Sequence, residues 1–146
     1  MFRSLAIRFT LFLSIFFVSN AIAGEVIIVN KDNPIINISS AQLKQIYIGN
    51  TKLWNNGKRV VPVDLPETHP LAIKFTKVIL GMDMESRRKL WIEKLFAGVG
   101  TPPHQEKDET SVVSFVASEP GAIGYVKKEN ANSSVKVISL DEKSEF

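Results

Sequence analysis

The 146-residue sequence contains no cysteine. That absence excludes disulfide staples, thiolate metal sites, a cysteine nucleophile and a lipid joined to an N-terminal cysteine after processing. Histidine is scarce: His69 and His104 are the two present, and no H-x-x-x-H or H-E-x-x-H spacing joins them. No metal ligand and no cofactor is therefore expected. There is no G-x-S-x-G elbow, and the sequence alone brings no Ser/His/Asp set together, so it names no catalytic residue and the chain is not read as an enzyme. An excess of charge is missing too. The formal +3 includes Arg3 and Arg8, and setting these aside leaves sixteen basic residues against fifteen acidic ones. So even a balance gives no field for nucleic acid, and the basic-aromatic mixture of Lys52, Trp54, Lys58 and Arg59 is read as a core tryptophan beside a turn.

Long apolar runs are also rare. Phe9 to Val18 is one, preceded by Arg3 and Arg8 and followed by Ala21-Ile22-Ala23. It is shorter than the roughly 20 residues of a spanning helix, and small residues sit where a peptidase would cut. Residues 1–23 are thus predicted to be a secretory signal peptide cleaved after Ala23, which places the remainder in the periplasm. Residues 24–140 form the predicted domain, with a polar tail over 141–146 expected to fray. Hydrophobic residues make up 45% of the sequence and charged residues 23%, proportions of a chain with a core. The length allows one such core and not two full lobes across a cleft.

Glu25 to Val29 is a β-branched run that reads as a buried strand, ended by the turn-rich Asn30-Lys-Asp-Asn-Pro34. Ser39 and Gln42 fit a capping box for a helix with Leu43, Ile46 and Tyr47 inward, and Gly49 supplies its stop. Trp54-Asn-Asn-Gly57 turns the chain into a second strand, Arg59 to Asp64. Leu71, Phe75, Val78 and Ile79 then recur at helical spacing after Pro70, a residue tolerated at the first helical position, and Gly81 ends that helix. Asp83 caps the next one, expected to turn Leu90, Trp91 and Leu95 inward and Arg87, Arg88, Lys89 and Lys94 mostly outward. After the Gly98 to Pro103 loop, Asp108 or Thr110 caps a helix bearing Val112, Val113 and Val116, which Pro120-Gly121 terminates. Ala122 to Val126 and Val135 to Leu140 are the last two strands. Helices between strands argue an α/β fold, with a mostly parallel or mixed sheet flanked by helices.

Asp64 and Glu67, three apart on a loop, are read as solvated acids and not as a catalytic pair. Two loops run straight into helix N-termini: Thr68-His69-Pro70 and Asp108-Glu109-Thr110-Ser111. Unpaired N–H groups and the positive dipole end suit a phosphate, sulfate or carboxylate there, which makes Thr68, His69, Thr110 and Ser111 the candidate anion ligands. The simpler role of Thr68, Asp108 and Thr110 is to cap their own helices.

Ser39-Ser-Ala-Gln-Leu-Lys-Gln-Ile-Tyr-Ile-Gly49, Trp54-Asn-Asn-Gly57 and above all Val116-Ala-Ser-Glu-Pro-Gly-Ala-Ile-Gly-Tyr-Val126 resemble the phosphate-binding proteins of bacterial ABC transporters, with the type 2 periplasmic solute-binding fold. The resemblance runs from about Val26 to Val126. It implies a single lobe of that fold, where full-length members have two lobes with the anion between them. The partners it implies are a small anion such as phosphate and an ABC transporter or other envelope protein, with a homodimer as a way to rebuild a second wall. In the family an Arg follows the strand and Ser-Gly-Thr opens the next helix. Here Leu65 stands in the Arg position and His69-Pro70-Leu71 in the Ser-Gly-Thr positions, which removes a charge, hydroxyls and an amide hydrogen. Two expectations follow: weak anion binding at the Thr68-His69 helix end, or a lobe that keeps the fold, has lost the ligand and binds a protein partner.

Overall fold

The computed structural model describes residues 24–146, so the leader and its cleavage point lie outside the described residues. Strand β1 (Glu25–Val29) is the centre of the core: Val26, Ile27, Ile28 and Val29 are each at most 1% exposed. Full burial on both faces is what its unbroken β-branched run predicts. After β2 (Asn37–Ile38) comes α1 (Ser40–Tyr47), opened by the Ser39/Gln42 capping box and ended at Gly49, whose φ of 82° is left-handed. A hairpin turn at Trp54–Gly57 leads into β3 (Val61–Asp64). Helix α2 (Pro70–Phe75), a π-helical segment (Thr76–Leu80) and α3 (Met84–Phe96) follow. The chain then forms β4 (His104–Gln105), α4 (Glu109–Ser118), β5 (Ala122–Lys127), a short 3₁₀ turn (Lys128–Asn130) and β6 (Lys136–Leu140).

The six strands make one mixed sheet in the order β2-β6-β1-β5-β3-β4. β1 runs antiparallel to β5 and β6, while β2/β6, β3/β5 and β3/β4 are parallel. Alternation along β5 assigns the two faces. Gly124 points at α4, where an added Cβ would lie 2.9 Å from Val112 Cγ1 and 3.3 Å from Val116 Cγ2. Tyr125 points the other way and stacks on Phe75 at 4.0 Å between ring centroids, with Tyr47 edge-on to Phe75 at 4.7 Å. The result is an α/β sandwich with α4 on one face and α1, α2 and the π-helical segment on the other, joined through the sheet by fully buried aliphatic side chains.

Four local expectations give way to longer-range forces. Val78 was expected inward but is 56% exposed, because the widened turns of Thr76–Leu80 shift the helical phase and bury Thr76, Ile79 and Leu80 instead. Leu95, also expected inward, is 52% exposed, and Arg87, expected outward, is 5% exposed. The buried face of α3 is rotated toward Arg87 and Trp91 because Asp64, at the end of β3, offers Arg87 a buried countercharge. His104 lies in the short edge strand β4. The tail is tied down: the Ser40 amide donates to Asp141 Oδ1 (2.9 Å), the Phe146 amide donates to the Glu25 carbonyl (3.1 Å), and the Phe146 ring meets Phe75 edge-on.

Candidate functional site

The two helix N-termini singled out by the sequence are neighbours in space. His69 is the N-cap of α2, its Nδ1 accepting the Leu71 amide hydrogen (3.1 Å), while Pro70 at the first helical position has no amide hydrogen to offer. Two of the first three positions of α2 therefore have no amide for a ligand. Asp108, not Thr110, caps α4: its Oδ1 accepts the Ser111 amide hydrogen (2.8 Å), and that bond holds the Asp108 carboxyl below the usual range. Thr68 and Thr110 are exposed and Ser111 is half-buried.

Between these ends lies a carboxylate of the chain itself. Glu109, the first residue of α4, is 8% exposed, and its Oε2 accepts from the Lys127 amide (2.7 Å) and from Asn130 Nδ2 (2.9 Å). Its Oε1 is 4.0 Å from His69 Nε2. The α4 N-terminus thus carries two acids: Asp108 caps the Ser111 amide, the Glu109 carboxylate is turned to Lys127 and Asn130, and both place negative charge at the positive end of the helix dipole, where they repel a further anion. Charge-assisted bonds of this kind contribute about 1.5–3 kcal/mol each, which holds the Glu109 carboxylate in place. Glu109 is the residue that sequence reading passes over. An acid in the first helical turn is ordinary, and its partners Lys127 and Asn130 are far along the chain.

A second polar cluster sits at the C-terminal end of β3. Asp64 is 9% exposed; it pairs with Arg87, accepts the Tyr125 hydroxyl hydrogen and accepts the Leu65 amide hydrogen at Oδ1 (2.9 Å). Arg87 Nη1 donates to Thr76 Oγ1 (3.0 Å), and the Tyr47 hydroxyl donates to the carbonyl of Val63 (2.8 Å). Burial, with the Asp64 charge second, pushes the Tyr125 phenol well above its ordinary range, and the same two causes raise Tyr47. Glu67 faces Arg88 on the surface, with Arg88 Nε donating at 3.1 Å. Asp64, predicted to be a solvated loop acid, instead ends β3 and is buried against Arg87, because that arginine needs a countercharge in the interior; Glu67 is solvated as predicted, beside Arg88. The two histidines are likewise apart in role, His69 beside Glu109 and His104 beside Glu106 (2.8 Å) with its ring stacked on Phe115.

Beside the Asp64–Arg87 pair opens a groove of about 280 Å³, walled by Leu65, Met84, Trp91, Leu95 and Pro102-Pro103 and by the Glu67–Arg88 ion pair. Leu65, which the resemblance sets in the place of a ligand-clamping Arg, is 2% exposed and contributes only hydrocarbon to the groove. A groove with these walls and its charges paired receives apolar surface more readily than a small ion.

No family model matches the sequence. The fold is similar to that of an ABC-type phosphate transport receptor from Vibrio cholerae, with TM-score 0.68 and 18% identity over 84% of this chain. It is also similar to a putative phosphate ABC transporter substrate-binding protein with bound phosphate from Clostridium perfringens, at TM-score 0.68 and 20% identity over 82% of the chain. PstS from Borrelia burgdorferi aligns at TM-score 0.65 and 13% identity, again over 82%. The chain spans about half the length of these proteins, 48%, 46% and 48% respectively. It has their periplasmic-binding-protein fold over that half, as the sequence resemblance implies.

Proposed function

We propose that the chain is an exported, periplasmic protein-binding lobe on the solute-binding fold, with its anion site closed by its own Glu109. The observation that carries this reading is the Glu109 carboxylate between the two helix ends, held by the Lys127 amide and Asn130 and facing His69. Pro70, which lacks an amide hydrogen, and the buried hydrocarbon of Leu65 act in the same direction. The counterpart of the lobe is a protein of the envelope, either an ABC transporter subunit or another surface there, and not a free ion. The reading assigns the chain no catalysis.

A second reading is favoured by the convergence of the α2 and α4 N-termini: Thr68, His69, Thr110 and Ser111 hold phosphate weakly once Glu109 swings aside. One experiment separates the two. Thermal melts of the wild type and of Glu109→Gln are taken with and without 10 mM phosphate. A ligand bound at 0.1 mM would stabilise by about 2.7 kcal/mol, a rise on the order of 10 °C for a domain of this size. The closed-site reading expects no rise for the wild type and a measurable one for Glu109→Gln. A rise of several degrees in the wild type would establish the second reading instead.

A further inference from the structure

We propose that the protein partner of this lobe is a second copy of the same chain, paired through α3 so that Phe96 of each copy enters the groove of the other. This rests on the protein-binding reading above and names its partner.

Phe96 is 91% exposed and stands beside Ile92 (48%) and Leu95 (52%) on the last turns of α3, with Val99 (51%) just past the left-handed Gly98 that ends the helix. Ile92 and Leu95 also belong to the wall of the 280 Å³ groove, so the projecting ring and the cavity share one face of one helix. A face that carries both a knob and a hole is self-complementary, as a two-fold interface requires. In an antiparallel pairing of two α3 helices centred near Trp91, the C-terminal end of one helix meets the N-terminal half of the other. Each Phe96 then lies over the Met84 to Arg88 half of the facing groove.

Three further features favour a second copy over another occupant. The groove is smaller than the roughly 300–1,000 Å³ of small-molecule sites, yet it is open enough to take a ring. The charged groups that line it, Asp64 with Arg87 and Glu67 with Arg88, are paired with each other, so an apolar occupant strands no lone charge. An antiparallel register about Trp91 puts Lys89 level with Glu93 along the two helices and opposes the helix dipoles. Near-zero net charge beyond the leader also leaves two copies without mutual repulsion. Two aromatic rings and the walls they cover remove on the order of 800 Å² from water, short of the roughly 1,200–2,000 Å² of stable specific interfaces and in the range of transient ones. The dimer is therefore weak and dependent on concentration.

The test is the solution mass of the full chain, expressed with its leader in a bacterial host, purified as exported and followed over a range of concentrations by light scattering or sedimentation. The expected result is a wild-type mass that climbs toward two chains. Phe96→Asp, at a position too exposed to disturb the core, should stay at one chain with an unchanged melting temperature. Ile36→Asp, beside the β2 edge at the far end of the sheet, should dimerise like the wild type. A wild type that remains one chain throughout, or a Phe96→Asp variant that still dimerises, would overturn the pairing. Neither result touches the closed-site reading, whose own failure shows as phosphate stabilisation of the wild type.

Discussion

Arg87 carries its charge into the interior because Asp64, Thr76 and the Tyr125 hydroxyl form a closed network around it. Removing one partner leaves the other charge buried and uncompensated, which costs about 3–5 kcal/mol. Arg87→Met should lower stability by that amount in urea unfolding, and Arg87→Met with Asp64→Leu should recover most of the loss. If Arg87→Met alone were neutral, the network would not be holding the end of β3. The tyrosines report on the same region, since Tyr47 and Tyr125 are the two in the chain. Both phenols are raised, first by burial and then by the Asp64 charge. A phenol whose pKa is higher folded than unfolded stabilises the fold below about pH 10, and that contribution is lost as pH climbs above it. Ultraviolet titration should therefore show no phenolate until the protein unfolds in alkali. Ionisation of either tyrosine near pH 10 with the circular dichroism intact would contradict the buried placement.

Helix starts are written locally, and they were legible. Ser39 with Gln42, Pro70 and Asp83 do as their sequence context predicts; Asp108 is one of the two caps it leaves open for α4, and His69 caps α2 in place of Thr68. Helix faces were less legible where a distant partner decides them. The rotation of α3 depends on Asp64, 23 residues before Arg87, and a count of apolar positions has no access to that countercharge. The phase slip at Val78 comes from π-helical turns that α-helical periodicity cannot register. The Pro120-Gly121 stop was readable as a helix end, though its tighter role is steric. A Cβ on Gly121 would drive into the Arg59 carbonyl oxygen, and the Gly121 carbonyl accepts from both Trp54 Nε1 (3.0 Å) and the Val61 amide (2.9 Å). Gly121→Ala should thus cost about 1–3 kcal/mol or more by forcing β3 off β5. Gly57→Ala, in open space at φ 81°, should cost about 1 kcal/mol. Equal losses for the two would argue against the close approach.

At the scale of the whole molecule, the fold brings the N-termini of α2 and α4 together, a neighbourhood that two loops forty residues apart do not announce in the sequence. What occupies that region was not legible. Glu109 reads as one more acid in a helix's first turn until β5 and the following turn deliver Lys127 and Asn130 to its carboxylate. Phe96 reads as the end of an amphipathic helix until the fold sets it beside an apolar groove. Both features support the proposed reading of a protein-binding lobe: one sets a carboxylate beside the two helix ends, and the other sets an exposed ring beside an apolar groove.

The most direct test of the closed site is an NMR titration of the wild type with phosphate to 10 mM, following the amide signals of Ala72, Thr110 and Ser111 at the two helix ends, with Glu109→Gln measured in parallel. The account expects the wild-type signals to stay in place and those of Glu109→Gln to move along a saturable curve. Saturable movement of Thr110 and Ser111 in the wild type would contradict it, because phosphate would then be entering a site that Glu109 is said to hold.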